Sequence, residues 1–152
     1  MPVLKTENFG QIVYEQDAVF EFPAGLPGFE ERRRFLLLRF EEHAPLVWLQ
    51  SLEDADLCFM TLPVLVVDPN YAFTVAAEER AMLGFPTVCR LCIGKNVACL
   101  AILSIRESGP TANLLAPLVI NLQNRKGVQA IGAGAGYSHR HGLLPQGDPV
   151  CS

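Results

Sequence analysis

The segment from Thr111 to Gly127, with the sequence TANLLAPLVINLQNRKG, constrains the fold more than any other part of this chain. Read at a period of two residues, one of its sides is apolar throughout and comprises Ala112, Leu114, Ala116, Leu118, Ile120 and Leu122. The other side is polar at its ends and apolar in the middle, with Asn113, Leu115, Pro117, Val119 and Asn121. Because successive side chains of a strand point to opposite faces, this pattern predicts one extended strand that is covered on both faces.

A helix is the competing interpretation of this segment. It would place Pro117 in the helix interior, which costs about 3 kcal/mol. In a strand the same proline marks an edge position or a bulge, where no ladder donor is lost. Asn124 and Gly127 then provide the turn that leads out of the strand.

The rest of the chain consists mostly of short apolar runs separated by turn residues. The other predicted strands cover Val3–Thr6, Gln11–Glu15, Ala18–Phe22, Arg34–Phe40, Leu46–Leu52, Leu57–Leu62, Tyr71–Val75, Thr87–Ile93, Val97–Ile105 and Val128–Ile131. One short helix is predicted over Ala76–Leu83, because Gly84 and Pro86 follow it as a stop signal. The pattern predicts an all-β fold, mainly antiparallel and either barrel-like or a sandwich. We expect a single domain over residues 1–141 and a disordered tail over residues 142–152.

Composition excludes several classes of protein. Half of the residues are hydrophobic and 18% are charged, which excludes a disordered chain. The longest run without charge, Ser108–Asn124, is too polar to span a membrane as a helix. The first residues lack the basic and apolar regions of a secretory signal, and the five cysteines lack the spacing of a disulfide framework. We therefore expect a cytoplasmic protein with reduced thiols and no membrane partner.

The charges are unevenly distributed along the chain. Residues 1–80 carry 14 acidic and 6 basic side chains, whereas residues 81–152 carry 2 acidic and 6 basic ones. An acidic surface repels a phosphate backbone, so we expect no direct binding of nucleic acid. The same surface suits a basic protein partner.

Candidate chemistry is sparse. Cys89 and Cys92 form a C-x-x-C motif, but their spacing along a predicted strand directs the sulfurs to opposite faces. Zinc requires four convergent ligands, and the chain has no second C-x-x-C motif. The glycine run over residues 132–136 lacks the spacing of a dinucleotide-binding loop, and no serine has a credible base. We predict no catalytic residue, metal ligand or cofactor; a thiol or zinc protein using Cys89 and Cys92 remains an alternative.

Six segments carry a further signal when they are taken together and in order: FEFPAGLPGFEE (Phe20–Glu31), FLLLRF (Phe35–Phe40), WLQSLEDADLCF (Trp48–Phe59), VACLAILSI (Val97–Ile105), TANLLAPLVINLQNRKG and GYSHRH (Gly136–His141). Together they resemble the flagellar assembly factor FliW family. The resemblance covers nearly the whole chain to about His141. The glycine–alanine run before Tyr137 and the tail after His141 depart from the family pattern.

The resemblance implies a FliW-like fold and a partner switch that is not an enzyme. Members of the family bind flagellin in the cytoplasm and also bind CsrA, a regulator that represses translation of the flagellin messenger RNA. Once flagellin is exported, the freed factor antagonises CsrA without occupying its RNA site. The alternative within this resemblance is a flagellin export chaperone that has no control over CsrA.

Three groups of residues are candidate partner contacts. An apolar edge on the loop over residues 23–30 comprises Leu26, Pro27 and Phe29, which either tuck under the loop or face a partner. Acidic residues that would steer a basic partner are Glu30, Glu31, Glu53, Asp54 and Asp56. Polar positions on the 111–127 segment are Asn113, Asn121, Asn124 and Arg125. For each of these residues, turn geometry or core support is the alternative role.

Overall fold

A computed structural model describes residues 2–86 and 89–143 of the chain. The strands are β1 (Val3–Thr6), β2 (Gly10–Val13), β3 (Val19–Glu21), β4 (Arg34–Leu38), β5 (Val47–Ser51), β6 (Cys58–Pro63), β7 (Val97–Arg106), β8 (Gly109–Ala112), β9 (Leu118–Asn121), β10 (Gly127–Gln129) and β11 (His141–Gly142). The α-helices are α1 (Val64–Val67) and α2 (Ala77–Leu83), and single 3₁₀ turns cover Gln16–Ala18 and Glu41–His43. None of the helices in the described ranges is long and apolar enough to cross a membrane.

Seven strands form the main antiparallel sheet, in the order β10-β9-β7-β6-β5-β4-β3. The two ends of this row meet, because Glu21 in β3 forms a parallel bridge with Lys126, directly before β10. The Glu21 backbone N–H donates to the Arg125 carbonyl oxygen at 2.9 Å. The sheet therefore curls until its first and last strands touch, and the predicted all-β, mainly antiparallel fold is confirmed in its barrel-like form.

The long strand β7 links this sheet to a smaller extension. Its first half pairs with β9 and its second half pairs with β8, which in turn pairs with β11. The Leu143 backbone N–H donates to the Pro110 carbonyl oxygen at 3.1 Å. Gly142 and Leu143, the first residues of the predicted tail, thus bond to β8. Residues 144–152 lie outside the described residues, and the domain boundary stays a prediction.

Residues 111–127 do not form the single continuous strand that the sequence predicts, so that prediction is wrong. The chain leaves the sheet after Ala112 and re-enters it at Leu118, directly after Pro117. Between these points the Asn113 side-chain oxygen accepts the Ala116 N–H at 3.0 Å, which fixes a turn. Pro117 stands just outside β9, where its missing N–H removes no ladder bond. In the sequence, apolar side chains recur at every second residue across this turn, so sequence alone could not detect the break in the strand.

The predicted burial on both faces of this segment is largely confirmed. Leu118 and Ile120 pack with Phe22, Leu26 and Phe35 in one core cluster, together with Val47, Leu49 and Leu100. Val119, between them in sequence, packs on the opposite face in a second cluster. The other buried members of that cluster are Val64, Tyr71, Val75, Leu83, Val97, Cys99, Ala101, Ala112, Leu114, Val128, Ala130 and Ala133. Leu122, beyond the end of β9, is the exception and is 44% exposed.

Two other predicted strands are wrong. Tyr71–Val75 belongs to no strand, and the described part of Thr87–Ile93 forms only an isolated bridge between Ile93 and Val97. Thr87 and Val88 lie outside the described residues. Helix α1 was not predicted, because its four consecutive apolar residues show no helical period. The predicted helix is confirmed as α2, and Gly84 caps it in the left-handed conformation with φ 83°.

Candidate partner-binding surface

The loop before β4 carries a tight turn that divides the expected apolar edge. The Phe29 N–H donates to the Leu26 carbonyl oxygen at 2.7 Å, with Pro27 and Gly28 at the central positions. Gly28 has φ 86°, which suits a type II turn. Leu26 is 2% exposed and packs into the core as a plug, so its expected place on an exposed edge is wrong. Pro27 and Phe29 remain on the surface.

Phe29 is held in place although it is partly exposed. Its side chain is 39% exposed, and its ring lies edge-on to Phe59 with the centroids 5.4 Å apart. Such aromatic pairs add about 0.5–1.5 kcal/mol beyond the area that they bury. The exposed side of the Phe29 ring is therefore presented in a fixed orientation.

Glu53 anchors the arginine-rich start of β4. Its Oε1 atom accepts the backbone N–H groups of Arg33 at 2.6 Å and Arg34 at 3.1 Å. Its Oε2 atom lies 3.9 Å from Arg34 Nε. Burial raises the pKa of Glu53, but the two backbone N–H groups and the charges of Arg34 and Arg32 outweigh it, and the pKa is lowered from 4.5.

Asp54 and Ser51 complete the same anchor. The Asp54 Oδ2 atom lies 3.4 Å from an Arg32 guanidinium nitrogen, and its Oδ1 atom accepts the Asp56 N–H at 3.0 Å. The Ser51 hydroxyl accepts the N–H groups of Glu53 and Asp54, both at 3.0 Å. The turn between β5 and β6 and the loop before β4 are thus held together as one surface.

Replacing Glu53 by glutamine is expected to lower the free energy of unfolding by about 0.5–1 kcal/mol at pH 7, a small value because the site is partly exposed. Because folding lowers the pKa of Glu53, its stabilisation is present above 4.5 and is lost as the pH falls through the folded-state value. Urea unfolding of the parent and of Glu53→Gln at pH 7 and near pH 3 measures the difference in their free energies of unfolding. That difference should disappear at the lower pH, and an equal difference at both pH values would contradict the proposed anchor.

Of the other three acidic candidates, one carboxylate stabilises the loop by a hydrogen bond and two have no hydrogen bond or ion pair within the described residues. Glu30 Oε2 accepts the Gly28 N–H at 3.0 Å, and backbone hydrogen bonds from Gly28 and from Glu30 itself lower the pKa of its carboxyl. Glu31 and Asp56 are exposed, and their carboxylates make no hydrogen bond or ion pair with any residue that the structure describes. Glu31 and Asp56 are therefore the charges available to a partner.

Two asparagines of the 111–127 segment hydrogen-bond to the C-terminal end of helix α2. The side-chain amides of Asn121 and Asn124 both donate to the Leu83 carbonyl oxygen, at 2.8 and 3.0 Å. Their side-chain oxygens accept the N–H groups of Gln123 and Lys126. A carbonyl at a helix end has no partner within the helix, so these amides satisfy it. Sequence reasoning missed this role, because nothing in the local pattern identifies Leu83 as the acceptor.

Arg125 closes the sheet. Its φ of 61° is left-handed, its N–H donates to the Asn121 carbonyl oxygen, and its own carbonyl accepts the Glu21 N–H. Its Nε atom is buried and has no partner within the described ranges. Asn113, Asn121, Asn124 and Arg125 thus all have contacts within the chain, and a contact with a partner stays a prediction for each.

The cysteines lie in two environments. Burial raises the pKa of Cys99 to about 12 and that of Cys58 to about 11. Cys89 and Cys92 are partly exposed on an extended segment rather than in a strand, so the argument from alternating strand faces does not apply to them. The Asn96 amide contacts both, with Nδ2 3.6 Å from Cys89 Sγ and Oδ1 2.7 Å from Cys92 N. Among the described residues no three metal-ligating side chains cluster.

The comparisons with known proteins converge on one family. The sequence model of the FliW protein family matches residues 3–143. The flagellar assembly factor FliW of Caldanaerobacter subterraneus subsp. tengcongensis is 36% identical over 144 residues, which cover 94% of this chain and 93% of the relative. That of Bacillus subtilis is 28% identical over 151 residues, 98% of this chain and 99% of the relative. A crystal structure of the flagellar assembly factor FliW matches with a TM-score of 0.82 and 29% identity, covering 97% of this chain and 100% of the other.

Proposed function

Because this chain belongs to the FliW protein family of flagellar assembly factors, we propose that it is a partner switch rather than an enzyme. In the cytoplasm it binds flagellin that awaits export. When flagellin leaves, the freed protein binds the translational regulator CsrA and antagonises it without occupying its RNA site. Synthesis of flagellin is thereby coupled to export. The family match over residues 3–143 is the observation that supports this proposal most.

The surface formed by the loop before β4 and the turn between β5 and β6 supports binding of a basic partner. Pro27 and Phe29 provide exposed apolar area, and Glu31 and Asp56 provide carboxylates with no contact inside the described chain. The Glu53 anchor holds the two segments together, so little conformational entropy is lost when a partner docks. A protein that binds RNA needs basic surface, and complementary charge mainly accelerates association.

Reversing the two free charges tests this surface. The double variant Glu31→Lys with Asp56→Lys should slow association with CsrA by about tenfold at low salt, because electrostatic steering raises association rates by about 10- to 1,000-fold. The deficit should shrink at high salt, where exposed charges are screened. Stopped-flow or biosensor kinetics at two ionic strengths provide the measurement.

A matched control carries the same change in net charge elsewhere. Glu15→Lys with Glu107→Lys alters two exposed acids outside this surface and should leave the association rate within about twofold of the parent rate, since steering depends on local charge. Equal slowing by both double variants would mean that only net charge matters, and this surface would lose its assigned role. Glu53 and Asp54 are left unchanged because they stabilise the fold.

Direct binding separates the partner switch from its alternatives. Purified protein should bind purified flagellin and purified CsrA saturably, each measured by calorimetry. If the protein bound flagellin but not CsrA, the function would be that of a flagellin export chaperone without control over CsrA. Failure to bind either partner, with stoichiometric zinc found by elemental analysis, would favour the thiol or zinc protein.

A further inference from the structure

A groove of about 490 Å³ lies between two segments that belong to no named strand or helix. One wall is Tyr71–Val75, and the other is the part of the chain around Arg90 and Leu91. Arg80 of α2 also lines it. A volume of this size falls within the range of about 300–1,000 Å³ that is typical of ligand sites.

The first wall has the burial pattern of a strand but no strand partner. Along it Tyr71 and Val75 are buried while Ala72 and Thr74 are exposed, which is the alternation of a half-buried strand. The sequence predicts a strand here, but no neighbouring strand of the described chain pairs with it.

Unused backbone groups belong to one wall of the groove. The backbone N–H groups of Phe73 and Val75 make no hydrogen bond to any residue that the structure describes, whereas that of Thr74, between them, donates to the Ala133 carbonyl oxygen at 2.9 Å. On the other wall the Asn96 side chain already bonds the Arg90 carbonyl oxygen and the Cys92 N–H. Exposed strand edges of this kind accept an added strand, because its backbone completes their hydrogen bonds.

The lining of the groove is positively charged although the chain as a whole is acidic. Arg80 and Arg90 are the charged side chains among its lining residues, and no carboxylate lines it. The Arg80 guanidinium donates to the carbonyl oxygens of Pro86 and Cys89, which fixes its position beside the second wall. The formal net charge of the chain is -4, so this groove carries a charge opposite to that of most of the surface.

We propose that this groove binds an extended acidic peptide segment of a partner protein by β-strand addition. The peptide backbone pairs with the free N–H groups of Phe73 and Val75, and its carboxylates lie near Arg80 and Arg90. The site is separate in sequence from the acidic surface around Glu31 and Asp56, and the proposal does not depend on CsrA or flagellin being partners.

A short fluorescein-labelled peptide of alternating valine and glutamate is the probe. Fluorescence anisotropy should show saturable binding to the full chain, and a peptide with lysine in place of glutamate should bind at least about tenfold more weakly, a difference of about 1.4 kcal/mol. A valine–glutamate peptide methylated at alternate backbone nitrogens should also lose binding. Methylation removes the hydrogen-bond donors of the added strand but keeps its charge.

Variants locate the site. Arg90→Glu should weaken the valine–glutamate peptide by about tenfold or more, whereas Arg106→Glu, an exposed arginine at the end of β7, should change it by less than about twofold. Amide exchange at Phe73 and Val75 should slow when the peptide is bound. Equal binding of the lysine or methylated peptide, or no effect of Arg90→Glu, would overturn the proposal. Full displacement by inorganic phosphate would identify a small-anion site and overturn it as well.

Discussion

Replacing Gly134 by alanine should lower the free energy of unfolding by about 2–6 kcal/mol. A Cβ atom at this position would collide with the Leu114 carbonyl oxygen and the Tyr71 hydroxyl. These two groups form a buried hydrogen bond of 2.6 Å, so relief of the collision must separate them. Overpacking costs about 1–3 kcal/mol, and an unsatisfied buried group costs about 1–3 kcal/mol more.

Gly136→Ala is the matched control for Gly134→Ala. Gly136 has φ 92°, and a Cβ atom there would meet no other atom within 4 Å. In this variant the free energy of unfolding should therefore fall only by the cost of placing alanine in the left-handed conformation, about 1–2 kcal/mol. Urea unfolding of both variants measures the difference. If Gly134→Ala cost no more than Gly136→Ala, the close packing of the glycine-rich segment against Leu114 would be refuted.

Phe22→Ala should lower the free energy of unfolding by about 3–5 kcal/mol, the usual cost of removing a fully buried phenylalanine. The Phe22 side chain is 0% exposed and packs edge-on against Phe35, with the ring centroids 5.5 Å apart. It also lies where the two ends of the sheet meet, since a Cβ atom on Gly127 would stand 2.7 Å from its ring. Loss of the ring leaves a cavity at the closure point of the sheet.

The conservative change Phe22→Leu keeps most of the apolar volume and should cost less than about 2 kcal/mol. Amide exchange provides a second measurement, because the Glu21 N–H bonded to Arg125 should exchange faster in Phe22→Ala than in Phe22→Leu. A decrease of less than about 1 kcal/mol in the free energy of unfolding of Phe22→Ala would contradict the place of this ring in the core. An unchanged Glu21 exchange rate would contradict its part in closing the sheet.

Local patterns in the sequence predict most strands and the helix. The apolar run Val97–Ile105 and the alternation in Leu118–Leu122 are visible in neighbouring residues alone. Gly84 and Pro86 likewise mark the end of α2 locally. Strand pairing depends instead on residues that are distant in the chain. For this reason the extended segment Tyr71–Val75 was predicted as a strand, although it pairs with no strand of the described chain.

The candidate surface was predicted by residue type but not by role. The acidic cluster around Glu53 was identified from its charge, yet Glu53 accepts backbone N–H groups 19 and 20 residues before it. Asp54 pairs with Arg32, 22 residues before it. Asn121 and Asn124 were identified as polar positions, and their acceptor proved to be the Leu83 carbonyl across the fold. Such hydrogen bonds require the tertiary structure, so sequence could not separate structural acids from the free Glu31 and Asp56.

A three-component titration tests the partner switch most directly. CsrA bound to a labelled flagellin messenger RNA is mixed with increasing amounts of this protein, and release of the RNA is followed by fluorescence anisotropy. RNA should be released as the protein is added, and flagellin added afterwards should restore the CsrA–RNA complex. Retention of RNA at saturating protein, or release that flagellin does not reverse, would contradict a switch between flagellin and CsrA.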